Sequence, residues 1–330
     1  MSTRPGQADT VQAWTKTGAG TTPSQHVEAV APEGPGVAER PLRTFLRVLP
    51  YILVHLSCLA VFWVGFSWTA FSVALGLYIV RMFGITGFYH RYFSHKAFKA
   101  GRGVQLAGAV LGCASAQRGP LWWASHHRYH HQHADTPDDA HSPVVHGFLW
   151  SHLLWFLSPR YLATLDSRIR DFAKYPELRF LDRYHVIVPV VLGVGLYLLG
   201  DVLARVAPGL GTNGWQMFIW GFSISTVAVY HATYTINSLS HLFGRRTYDT
   251  NDHSRNNWLL AILTLGEGWH NNHHHYPVSA RQGFRWWQYD VTYYILLLLQ
   301  RLGLVHELRP LPTHVRDKGL VSRESPGSAA

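Results

Sequence analysis

The apolar residues of this chain gather in runs of about twenty. That is the length a helix needs to cross a hydrocarbon core of roughly 30 Å, and an isolated run of this kind satisfies its backbone in lipid only as a helix. The first block, 46–88, is long enough for two spans joined by a very tight turn, at about 46–65 and 67–86. A second pair is expected at about 185–204 and 215–234, separated by a turn-forming loop with Pro208, Gly209, Gly211 and Gly214. The fold expected is all-α and integral to the membrane, with four transmembrane helices in two hairpins. The alternative for the first block, one overlong helix, would move the later motifs to the opposite face. Stretches 104–116, 144–157 and 291–299 are too brief to cross and are expected at or beneath the interface.

Residues 1–40 are rich in Gly, Pro, Thr, Ser and Ala and read as a disordered tail without the pattern of a signal peptide. Residues 41–310 are expected to form one membrane domain, and 311–330 a second loose tail. The two cysteines, Cys58 and Cys113, each lie in an apolar stretch, too few for a disulfide framework or a thiolate metal site. They fit a reducing compartment.

The formal net charge of +10 would suit nucleic acid, but the basic residues flank the apolar runs. Positive-inside topology puts them there, and no nucleic-acid partner is expected. Four spans place both termini and every segment after an even-numbered span on one side. That side holds Arg40, Arg43, Arg47 and the histidine clusters, whereas the opposite loops carry little beyond Arg205. The histidine side and both termini are therefore expected in the cytoplasm, with the protein multi-pass in a bacterial cell membrane.

The chain has 22 histidines against 19 acidic residues, and the commonest metal ligand deserves to be asked whether it is spaced as one. His90 and His95 follow the second span. Five residues turn an ideal helix about 140 degrees past a whole turn, so the two reach one metal only if the helix ends or bends there. Alone, the pair reads more readily as two interfacial histidines than as ligands. His127, His130 and His131 have i, i+3, i+4 spacing, which stacks imidazoles on one helical face; His126 and His133 flank them off that face. His270, His273 and His274 repeat the spacing, and His241 lies four residues after Asn237.

Nine imidazoles suit two metals with positions left open. Structural zinc would close with four ligands, usually including Cys, and the paired Glu-x-x-His motifs of the soluble carboxylate-bridged bundles are missing from the apolar helices. A metal transporter would carry its polar ligands within the spans. Iron is the metal expected, a redox-active ion that imidazole suits, rather than redox-inert zinc. Glu267, Asp135 and Asp139 are candidates to orient the imidazoles by accepting hydrogen bonds, with plain surface acids as the other reading.

The segments HRYFSH, HHRYHH, NSLSHLFG and LGEGWHNNHH resemble the boxes of the membrane-bound fatty acyl desaturases, acyl-CoA delta-9 (stearoyl-CoA type) group, over roughly residues 45–300. The resemblance implies a cytosolic helical cap holding two iron ions (Fe2+). The ligands would be His90, His95, His127, His130, His131, His241, His270, His273 and His274, with Asn237 holding a metal-bound water. It implies substrate-shaping roles for Gln117, Trp123 and Thr233. The reaction implied is insertion of a cis double bond, delta-9, into a saturated acyl chain at the expense of O2 and two electrons.

The acyl-CoA carrier implied is put in question because Ser125 and His126 stand where relatives have an Arg-Asp pair; carrier protein or lipid are the alternatives. No fused heme domain is visible, so a separate ferredoxin, rubredoxin or cytochrome is expected as electron donor. A hydroxylase or ketolase of the same histidine-box class is the rival reaction. Ala74 and Tyr78, on one face of the second span, are candidates to close the substrate tunnel, against plain packing.

Overall fold

The computed structural model describes residues 41–321. The helices that build and carry the site are α1 (Leu42–Val64), α2 (Trp68–Ser94), α3 (Arg102–Cys113), α4 (Pro120–His133), α5 (Ile187–Val206), α6 (Ser225–Asn237), α7 (Trp258–Leu263), α8 (His270–His275) and α9 (Val291–Arg301). Three of them, α1, α2 and α5, are long and apolar enough to cross a membrane. α1 and α2 separate at Gly65, whose φ of 71° suits a residue without Cβ. Ser67 then caps α2 by accepting from the Ala70 amide at 3.3 Å. The first apolar block is thus two helices.

The fourth expected span, at about 215–234, is not shown by the structure. Residues 214–237 are helical, with a π-wound stretch Met217–Ile224 leading into α6, but they are not among the helices apolar enough to cross by composition. Ser223, Ser225, Thr226, His231, Thr233 and Thr235 interrupt the apolar surface. Part of the reason lies on α2, where Arg81 is 1% exposed and donates to Thr226 Oγ1 at 2.7 Å and to Ser225 Oγ. A guanidinium buried among apolar helices persists only with such partners.

Where α2 leaves the apolar region its end becomes the core of the site-bearing part. Phe88, Tyr89 and Phe93 are buried together with Ala109 and Cys113 of α3 and Leu121 and Ala124 of α4. α3 comes this close because of its glycines: a Cβ on Gly108 or Gly112 would stand 2.0 Å from the ring of Phe88 or Tyr89. Burying each such aromatic contributes about 1.5–3 kcal/mol. Among the described residues the only sheet is one antiparallel pair, Lys99–Ala100 with Val305–His306, which ties the end of α2 to the segment after α9.

The expected N-terminal tail, residues 1–40, lies outside the described residues. Of the expected C-terminal tail, residues up to 321 are described. They include a short helix, Thr313–Asp317, and a bridge from Leu320 to Tyr248.

Candidate metal centre

α2 changes its winding at Gly84, and residues Gly84–Ser94 are π-helical. The His95 amide reaches the His90 carbonyl, five residues back, at 3.2 Å. The wider turn brings positions five apart onto one face, which α-winding does not. The two imidazoles meet with ring centroids 4.8 Å apart.

The nine histidines then divide into two buried groups. His90, His95, His127, His131 and His273 form one; His130, His241, His270 and His274 form the other, and within each the facing ring nitrogens all lie within 4.8 Å of one another. Each helical triad is split between them, which corrects the reading of one shared face. α4 gives His127 and His131 to the first group and His130 to the second, whereas α8 gives His270 and His274 to the second and His273 to the first. The cause is angular. At about 100° per residue, positions i and i+4 stay within about 40°, while i+3 and i+4 diverge by about 100°.

In the first group the Nε2 atoms form a string. His90 stands 3.0 Å from His273, His273 2.9 Å from His131, His131 3.0 Å from His127, and His127 2.8 Å from His95. In the second, His241 and His270 are 3.0 Å apart, and the buried Nε2 of His274 has no hydrogen-bond partner. Metal–nitrogen bonds of roughly 2.0–2.1 Å set at right angles give edges of about 3.0 Å. These donor sets therefore fit metal ions.

The opposite ring nitrogens explain why the lone pairs face inward. His241 Nδ1 donates to Asp135 at 2.9 Å, His130 Nδ1 to Asp139 at 3.0 Å and His274 Nδ1 to Asp252 at 2.8 Å, and His90 Nδ1 contacts the Glu267 carboxylate. A proton fixed on Nδ1 leaves Nε2 as a bare acceptor. Burial, and then neighbouring imidazole charge, holds His127, His131, His270 and His273 well below the usual imidazole range. Neutral lone pairs packed this closely repel one another unless a cation sits among them. Glu267 is pushed up by burial but held at about 2 by His90 and Arg91. Arg91 donates to its Oε1 at 3.0 Å, and Gln282 to its Oε2 at 2.9 Å.

Sequence reasoning missed Asp252, Arg91, Gln282 and His141. The His141 ring packs 4.4 Å from that of His130. None of the four shares a short spacing with its partner, so no local pattern announces them. Asp252→Ala is expected to weaken metal retention in the second group about 10–100-fold, measured by chelator competition on the purified protein. Unchanged retention would remove the orienting role.

Asn237 ends α6 and lines a small cavity of about 40 Å³ that touches both histidine groups through His90, His127, His130 and His270. Trp123 and Thr233 line it as well, and Trp123 lies over the His127 ring at 5.0 Å. Gln117 donates to Thr233 Oγ1 at 3.0 Å and lines an adjoining groove of about 610 Å³, which shares Trp123, Thr233 and Asn237 with the cavity. Tyr78 does not line the cavity; it donates to the Leu263 carbonyl, and Ala74 is simply buried. Met82, one turn nearer His90 than Tyr78, bounds the cavity instead. Ser125 bonds within its own turn, His126 Nε2 contacts the Ala163 carbonyl at 3.0 Å, and His133 Nδ1 contacts the Tyr129 carbonyl at 2.9 Å.

The fatty acid desaturase family model matches residues 66–300. A palmitoyl-monogalactosyldiacylglycerol delta-7 desaturase from Arabidopsis thaliana is 40% identical over 279 residues, 83% of this chain and 71% of that protein. An acyl-CoA 5-desaturase from Anemone leveillei is 39% identical over 272 residues, 80% and 79% of the two chains. An sn-1 stearoyl-lipid 9-desaturase from Anabaena variabilis is 38% identical over 274 residues, 82% and 95% of the two. With that match over most of its length, and with the histidine groups and apolar helices described above, this chain belongs to the fatty acid desaturase family and is an oxidoreductase acting on fatty acyl chains.

Proposed function

We propose that this protein is an integral-membrane desaturase that places a cis double bond at the delta-9 position of a saturated acyl chain, consuming O2 and two electrons from a separate donor. Two iron ions would be held by His90, His95, His127, His131 and His273, and by His130, His241, His270 and His274 with Asn237 through a water. The observation that carries this reading is the single cavity that reaches both histidine groups and joins an apolar groove. Iron, when bound, supplies the oxidising power that an unactivated C–H bond requires.

The protein's own part is positioning. An acyl chain in the groove would pass the contact between Gln117 and Thr233 and run beside Trp123, so that two adjacent methylenes face the histidines. Each buried methylene contributes about 0.8 kcal/mol, enough to index a chain by its length. The distribution of arginine around the spans supports a cytoplasmic histidine side with four crossings, the last at about 215–234, and a helical cap would then cover the site on that side.

The test is expression in a desaturase-deficient host followed by gas chromatography and mass spectrometry of total fatty acids, with His273→Ala as control. A monoene two mass units below its saturated parent, absent from the control, is expected. A product heavier by one oxygen would make the enzyme a hydroxylase and overturn the reading.

A further inference from the structure

The groove that leads to the cavity has an open side. Leu46 and Leu53 of α1 and Val186 and Val190 at the start of α5 line it and are each 53–55% exposed. α1 and α5 are both apolar enough to cross the membrane, so the groove mouth between them faces hydrocarbon. Arg47 and Arg118 line the same groove, close enough that the charge of one acts on the other. Arg47 is near the start of α1, at the depth of lipid headgroups if α1 spans.

Arg118 is placed there at a conformational cost. Ala116 and Arg118 have φ of 56° and 65°, in the left-handed region that residues with a Cβ avoid. Two tyrosines hold them: Tyr230 donates to the Ala116 carbonyl and Tyr89 to that of Arg118, both at 3.0 Å. This segment aims Gln117 at Thr233, while the Arg118 guanidinium lies 4.8 Å over the Trp122 ring and donates once, to the Phe156 carbonyl at 3.1 Å. Burial and the charge of Arg47 lower Arg118 to about 10, so it stays cationic at neutral pH. Asp182, the acid that acts on it, is engaged by the Leu121 and Trp122 amides and the Thr164 hydroxyl. Two guanidinium groups lining an apolar groove match a phosphate attached to an acyl chain.

We propose that the substrate enters sideways from the bilayer between α1 and α5 as an acyl chain of a glycerophospholipid, with Arg47 and Arg118 holding its phosphate at the groove mouth. The proposal rests on the desaturase function given above. Its test is native mass spectrometry of the purified, iron-loaded protein with phosphatidylglycerol, with monogalactosyldiacylglycerol of the same chains and with stearoyl-CoA. Conversion of each is followed in the same preparation with a ferredoxin couple.

The double variant Arg47→Gln, Arg118→Gln is expected to retain about tenfold less phosphatidylglycerol, as loss of charge-assisted hydrogen bonds implies. The loss should exceed that for the uncharged galactolipid about fivefold, and Arg118→Lys alone, which keeps the charge but not the guanidinium fork or its stacking on Trp122, should bind more than Arg118→Gln and less than wild type. Equal losses for both lipids, or stearoyl-CoA displacing phosphatidylglycerol, would overturn the phosphate site. A monoene formed from stearoyl-CoA alone would overturn lateral lipid entry and leave desaturation standing. Phosphatidylglycerol held by both arginines while no substrate is oxidised would overturn the desaturase reading, and the substrate assignment with it.

Discussion

His273→Ala is expected to abolish oxidation of the acyl chain, lowering turnover by more than the roughly 10–100-fold that follows loss of a group merely orienting a metal ligand. His273 Nε2 is second in the string, between His90 at 3.0 Å and His131 at 2.9 Å. Removing it opens both contacts and leaves the remaining imidazoles of the group without their shared neighbour. The adjacent His274 belongs to the other group, where His130, His241 and His270 remain, and its Nδ1 stays on Asp252 at 2.8 Å. Iron per chain, measured by mass spectrometry of the digested protein, should fall from about two to about one while the protein remains folded. Activity and iron would then part company, with half the metal retained and the reaction gone. A variant keeping both ions, or turning over within threefold of wild type, would show that His273 is not a ligand.

What the sequence discloses and what it hides follow from distance along the chain. The apolar runs and the i, i+3, i+4 triads are local, and local periodicity is legible. The division of each triad between two sites is also local, since it follows from the 100° between neighbouring residues, but it shows only when the second helix stands opposite. The π-winding before His95 is different, because no residue pattern dictates it; it appears where Gly84 lies against Leu111 of α3. The polar residues of 214–237 hide a helix behind a weak apolar signal, and Arg81, more than 140 residues earlier, accounts for two of them. Asp252 and His274, or His90 and Glu267, are joined only by the fold.

The largest effect on stability is expected at Arg91, next in sequence to the candidate ligand His90, and charge counting explains why. Arg91 is 1% exposed and lies between two buried carboxylates, 3.0 Å from Glu267 and 2.9 Å from Asp290, with a further hydrogen bond to the Ala280 carbonyl at 2.8 Å. Asp290 in turn caps α9 by accepting from the Tyr293 amide at 2.9 Å and holds the Gln282 amide at 2.6 Å. Arg91→Ala leaves both acids without their shared cation, and breaking a buried pair in this way costs about 3–5 kcal/mol. Glu267→Gln instead leaves the Arg91–Asp290 pair intact and a neutral acceptor beside His90, so it should cost only about 1–3 kcal/mol, as for one weakened hydrogen bond. Denaturant unfolding of the detergent-solubilised proteins would compare the two. If Arg91→Ala proved no more destabilising than Glu267→Gln, the guanidinium would not be the group that makes these carboxylates tolerable beside the histidines.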